Sequence, residues 1–126
     1  MRHLITASLI LVGIIHLLPV VGVLSAERLS ALYGLQISEP NLLILMRHRA
    51  VLFALLGVFL IVASFKPAWQ GGALIAGLIS VSSFMLLAWS IGGYNAQLAR
   101  VVLVDMVALV ALLIGAGAYL YLLRSN

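Results

Sequence analysis

The chain has 126 residues, of which 65% are hydrophobic and 8% charged. A soluble domain carries about 25% charged residues, so 7 Lys+Arg and 3 Asp+Glu exclude a water-coated globule, and the apolar content excludes disorder. The net charge of +4 comes from basic residues scattered along the chain, without the basic stripe that nucleic acid binding requires, and the lack of any cysteine rules out disulfides, thiolate metal sites and thiol redox chemistry.

Four apolar blocks, each long enough to cross about 30 Å of hydrocarbon at 1.5 Å per residue, predict a single transmembrane domain over residues 1–126. Backbone groups in lipid must be paired internally, so each block is a helix. The predicted fold is an all-α integral membrane antiparallel four-helix bundle. Its helices cover about 4–24, 40–65, 71–91 and 97–123, with a short interfacial helix at about 26–33.

In the first block, Pro19 frees the carbonyl of Ile15 and predicts a bend. Met1-Arg2-His3 before an apolar run looks like a signal peptide, but the run exceeds the usual 7–15 residues, so it is expected to be retained. Ser25 can cap the interfacial helix, whose apolar face holds Ala26, Leu29, Leu32 and Tyr33 and which Gly34 ends. Pro40 opens the second helix and Pro67 stops it. Gly71-Gly72 and Gly92-Gly93 mark the ends of the third. Short loops after the second and third helices make neighbours antiparallel.

Arg2, Lys66 and Arg124 lie on the face that bears both termini. Arg28, Arg47, Arg49 and Arg100 lie on the other, together with all three acids. Arg47 and Arg49 fall inside a helix and do not report topology cleanly, so the termini are assigned to the cytoplasm. Trp69, Tyr119 and Tyr121 are expected in the inner aromatic belt, and Tyr33, Trp89 and Tyr94 in the outer one.

Ionisable residues inside a span are costly and mark function. Arg47 stands 18 residues before Phe65, and Asp105 stands 18 residues before Leu123. Both therefore lie about 27 Å from the inner boundary and can form an ion pair. Ala50, Ala54 and Gly57 share the Arg47 face, a small-residue stripe that turns Arg47 inward. Arg49 points roughly 200° away, toward headgroups or, in a rotated helix, toward the bundle. The pair can be a structural clamp, the arginines can snorkel to lipid phosphates, or one of them can bind a ligand.

His16 lies near the midplane, level with Ser83 and a turn from Ser80, so the three can form a polar patch. A hydrogen-bonded core histidine is the plainer alternative. A Ser83–His16–Asp105 triad is rejected, because depth separates His16 from Asp105 by about 9 Å. His48 reads as an interfacial residue, and Glu39 as a carboxylate that offsets a helix dipole. No catalytic residue and no metal site is predicted: His3 and His48 lie at other depths than His16, and no phosphate loop, HExxH or nucleophile elbow is present.

Gly13, the run His16-Leu17-Leu18-Pro19, Tyr33-Gly34, Asn41, an arginine at the head of the second helix and Gly57 resemble the small bacterial four-helix membrane proteins called DoxX-like. The third and fourth helices match them in hydropathy alone. The resemblance implies an antiparallel four-helix bundle in which the family arginine is Arg47 or Arg49. Some relatives are linked with quinone-coupled sulfur oxidation, although this chain has no cysteine. The chain also looks like small membrane proteins labelled phosphopantetheine adenylyltransferase, a name that implies a His-x-Gly-His motif this sequence lacks.

The expected role is a non-enzymatic protein of the bacterial inner membrane. It would bind a lipid-like or quinone-like molecule in the outer half of the bundle through Arg47, Arg49, Asp105, His16 and Ser83. No cofactor is predicted, with a quinone left as the one open option, and membrane lipids are the expected partners. The alternatives are a structural or accessory subunit, packing through pairs such as Ala50/Ala54, Ala73/Gly77 and Ala111/Gly115, and a small oligomeric transporter.

Overall fold

The computed structural model describes residues 1–18, 31, 33–34 and 39–125. These residues form four α-helices and no strand: α1 (Arg2–Leu17), α2 (Pro40–Ser64), α3 (Pro67–Ile91) and α4 (Ala96–Ser125). Helices α2, α3 and α4 are each long and apolar enough to cross a membrane. The described part of α1 is a shorter apolar helix of 16 residues. The bend expected at Pro19 and the interfacial helix at about 26–33 lie outside the described residues, save Ala31 and Tyr33.

Each helix boundary has a local cause. Glu39 is the N-cap of α2, with Pro40 in the first turn where a missing N–H costs nothing. Its carboxylate accepts hydrogen bonds from the backbone N–H of Leu42 (2.8 Å) and of Asn41 (3.1 Å). These bonds hold the carboxyl below its ordinary range, that of Leu42 most strongly. Glu39 therefore supports the folded state above the carboxyl's ordinary value, and that support is lost as pH falls through the lowered one. The protection of the Asn41 and Leu42 amides, measured as exchange relative to the unstructured rate at the same pH, should fall on acidification through this range. In Glu39→Ala the protection is expected to be low throughout and to lack that step.

The turn between α2 and α3 is shorter than the sequence predicts. Pro67 opens α3 instead of merely ending α2, so α3 starts one turn before Gly71. Gly92 and Gly93 adopt φ of +68° and +67°, a left-handed backbone that ends α3. Asn95 then caps α4: its Oδ1 accepts from Leu98 N–H at 2.8 Å.

Helix α1 packs against both α2 and α4, and α3 packs against the same two. The core is built from Ile5, Leu9 and Val12 of α1, Leu60 of α2, Leu74 and Val81 of α3, and Ala108 and Leu112 of α4. Close approach depends on small residues. A Cβ on Gly57 would lie 2.8 Å from the Gly13 carbonyl oxygen, and one on Gly13 would lie 2.9 Å from the Gly57 oxygen. Gly77 faces Leu112, and Gly115 faces Ser8. At the turn end, the Ser64 carbonyl accepts from Gln70 Nε2 (3.0 Å) and Thr6 Oγ1 (3.2 Å), which ties three helices together. The outer surface is apolar, with Ile44, Leu45, Leu55, Ile75, Ile79 and Leu86 all exposed, which suits lipid and not water.

Candidate functional site

Besides the Thr6–Ser64–Gln70 network at the α2–α3 turn, a second polar group, which contains the charged side chains, lies toward the end of the bundle where α2 and α4 begin. Arg49 is the centre of the group. Its guanidinium carbon lies 4.4 Å from the ring centroid of Phe53, one turn further along α2. The rings of Tyr33 and Phe84 stand at 5.5 and 5.8 Å. Three ring faces thus surround one cation, each attracting it through the negative face of its π-system. Arg49 Nη1 also donates to the Tyr33 hydroxyl at 2.5 Å.

Tyr33 is placed firmly enough to hold that arginine. It is buried among Leu43 and Met46 of α2 and Leu98 and Val101 of α4. Its carbonyl accepts from Asn95 Nδ2 at 2.8 Å. Asn95 therefore caps α4 with one end of its amide and grips the Tyr33–Gly34 backbone with the other. The outer aromatic belt expected of Tyr33 is corrected here. Its hydroxyl is committed to Arg49, whereas Trp89 and Tyr94 are exposed. Asn95 escaped the sequence reading, although an asparagine just before an apolar helical run is a recognisable N-cap.

His16 of α1 is buried and bonded at both ring nitrogens. Nδ1 lies 2.9 Å from the Val12 carbonyl, and Nε2 lies 2.9 Å from Ser80 Oγ of α3. A carbonyl can only accept, so Nδ1 carries the proton and the Ser80 hydroxyl donates to Nε2 of the neutral ring. The ring edge also meets Phe53, with centroids 5.5 Å apart. Ser83, the expected contact, instead donates to the Ser80 carbonyl at 3.0 Å and is exposed. With both nitrogens spent on Val12 and Ser80, the Ser83–His16–Asp105 triad does not assemble. Ser80→Ala leaves Nε2 unpaired between two helices. The expected loss is about 1 kcal/mol, since interhelical hydrogen bonds in membranes average about 0.6. Thermal unfolding in detergent measures it.

These residues enclose a cavity of about 270 Å³. Among the described residues its polar wall is His16, Tyr33, Arg49, Ser80, Gln97, Arg100 and Asp105, and its apolar wall is Ile15, Leu18, Ala31, Phe53, Val101 and Val104. A second cavity, of about 380 Å³, adjoins it. Tyr33 and Arg49 line both, and the remaining walls of the second are mostly apolar: Met46, Phe84, Leu87, Ala88, Ile91, Leu98 and Val102. Tyr33 and Arg49 thus stand between two mostly apolar hollows, the first of which also carries the charged side chains and is called the polar chamber below.

Of the five expected site residues, His16, Arg49 and Asp105 meet at the polar chamber, while Arg47 and Ser83 are absent from its walls. The expected Arg47–Asp105 ion pair does not form. Among the described residues, buried Arg47 Nε has no hydrogen-bond partner, and the cation whose field reaches the Asp105 carboxylate is Arg49. Both arginines are half-buried, and the contact with Phe53 is what turns Arg49 toward the chamber. The inward seam of α2 runs Ala50, Phe53, Gly57, Leu60 and Ser64, and Arg49 shares the seam through Phe53. Asp105 is half-buried, above Ala108, Leu112 and Gly115 on the inner face of α4.

The arrangement offers a guanidinium with unspent N–H donors, a carboxylate acceptor, a second guanidinium and a hydroxyl–imidazole pair, all opening onto apolar space. It suits the binding of a molecule with a polar head and an apolar body. No protein-family model, curated protein or solved structure matches the chain.

Proposed function

We propose that the protein is a multi-pass bundle of the bacterial inner membrane that binds a lipid-like or quinone-like molecule at Arg49. The observation that carries this reading is the pair of adjoining, mostly apolar cavities, only the first of which is lined by Arg100 and Asp105, with Tyr33 and Arg49 lining both. A head group would sit beside Arg49, Arg100 and Asp105, and the apolar body would pass toward α3. The DoxX-like resemblance and the antiparallel bundle it implies belong to the same reading. Support for the bundle comes from Thr6 bonding Ser64 while Gly13 meets Gly57, a register in which α1 and α2 run in opposite directions. Both termini would be cytoplasmic, which places the chamber in the outer half.

The accessory-subunit alternative loses its main motive. Of the residues in those pairs, Ala50, Ala73, Gly77 and Gly115 are buried within the chain itself, and Ala54 and Ala111 are partly buried. The test is mass spectrometry of protein extracted without exhaustive delipidation. A co-extracted amphiphile at one per chain, depleted in Arg49→Gln, is the expected result. Protein that carries no bound lipid or quinone contradicts the proposal.

A further inference from the structure

The ligand class can be narrowed by charge and by shape; this step rests on the binding reading above. The walls of the polar chamber carry two guanidinium groups, Arg49 and Arg100, and one carboxylate, Asp105. Among the described residues the formal balance is one positive charge. Half-buried Arg49 and Asp105 offset each other, and the exposed guanidinium of Arg100 carries the excess, which an anionic head beside it would meet. A neutral quinone or alcohol head leaves it standing, and a head with two negative charges overshoots it.

Arg49 is prepared for such a head. Among the described residues its one hydrogen bond goes to Tyr33, so the rest of its donor fork is unspent. The aromatic rings hold the guanidinium plane in place without consuming those donors. A planar fork held in this way matches a carboxylate oxygen pair.

The shape supplies the second half. The apolar chamber beyond Tyr33 and Arg49 shares Ala88, Tyr94 and Val102 with a third hollow of about 480 Å³ between α3 and α4. That hollow is bordered by Leu86 and Trp89, which are 63% and 81% exposed to the lipid side. The three hollows adjoin through common wall residues and line up from the charged chamber toward the lipid side. A single alkyl chain is the slimmest tail that could pass the Tyr33–Arg49 pair between the first two.

We infer that the chamber takes a single-chain amphiphile with a monoanionic, carboxylate-type head, bound by Arg49 and Arg100, whose tail leaves between α3 and α4. The head therefore selects the ligand, and the tail only adds affinity.

The test uses the full chain in phosphatidylcholine nanodiscs and three radiolabelled probes: palmitate, hexadecanol of the same chain length, and decylubiquinone. Palmitate is expected to bind about ten-fold more tightly than hexadecanol, the margin of one charge-assisted bidentate contact. Arg100→Gln, at an exposed position that leaves packing intact, should remove most of that margin without changing hexadecanol binding. Arg49→Gln should do the same, with circular dichroism confirming its fold. Equal binding of palmitate and hexadecanol, or a palmitate affinity indifferent to Arg100→Gln, overturns the anionic head while leaving amphiphile binding in place. If none of the three probes binds, the binding reading falls as well.

Discussion

Gly57→Leu should separate α1 from α2 and cost more than about 3 kcal/mol, beyond the usual range for overpacking. The two helices meet backbone to backbone at Gly13 and Gly57. A bare Cβ on Gly57 already lies 2.8 Å from the Gly13 carbonyl oxygen and 3.0 Å from Leu17 Cγ. A side-chain tip can rotate away, but a carbonyl oxygen within a helix can yield only if the helix moves. Gly57→Ala is therefore expected to cost about 1–3 kcal/mol, although alanine is about 1 kcal/mol better than glycine in a helix interior. The internal comparison is sharp. A Cβ on Gly72 or Gly117 meets nothing within 4 Å, so Gly72→Ala and Gly117→Ala should be neutral or stabilising. Thermal unfolding of the four variants in one detergent checks both the sign and the order.

Arg49→Gln should have the largest effect on binding. It removes the charge from the centre of three aromatic rings and breaks the bond to Tyr33. Each cation–ring contact contributes about 0.5–2 kcal/mol where water is excluded. The isolated protein should lose about 1–3 kcal/mol on that basis. Retention of a bound amphiphile should fall by at least about ten-fold, because one charged hydrogen-bonding contact contributes that much. Arg49→Lys should recover only part of the loss, since an ammonium keeps the charge but not the planar fork. Arg47→Gln should leave retention unchanged, as Arg47 borders neither cavity that meets at Arg49. Quantifying co-purified amphiphile per chain across the three variants separates these outcomes.

The contrast between the two arginines shows what a membrane sequence conceals. In a soluble helix the apolar stripe identifies the inward face. In α2 the lipid-facing residues Leu45, Leu52 and Leu55 are as apolar as inward Leu60, so hydropathy carries no phase. The small residues Ala50 and Gly57 did mark the buried face correctly. Phe53 carried no such mark, because a phenylalanine suits lipid and core alike, and Phe53 is the ring that brings Arg49 inward.

Depth was more legible than rotation. Counting along helices placed His16 beside the serines of α3, and the Ser80 bond bears out that pairing. The choice between Ser80 and Ser83 turned on where α3 begins. Starting at Pro67, one turn earlier than Gly71, raises Ser80 level with His16. A proline at the first helical position is a known signal, but here it competed with the same residue's role as the stop of the preceding helix. On α4, Ala108, Leu112 and Gly115, which follow Asp105 at helical spacing, are all buried. Glycine and alanine report burial in this chain because close helix contacts exclude larger residues, whereas leucine and phenylalanine do not.

The central claim is that the space divided by Tyr33 and Arg49 belongs to one bound amphiphile. An experimental structure of the protein in native lipid nanoparticles tests this most directly. Elongated density that begins beside Arg49 and Arg100, passes Tyr33 and leaves between α3 and α4 is the expected result. A polar chamber that holds only water, with the helices unmoved and no chain-like density past Tyr33, would contradict it.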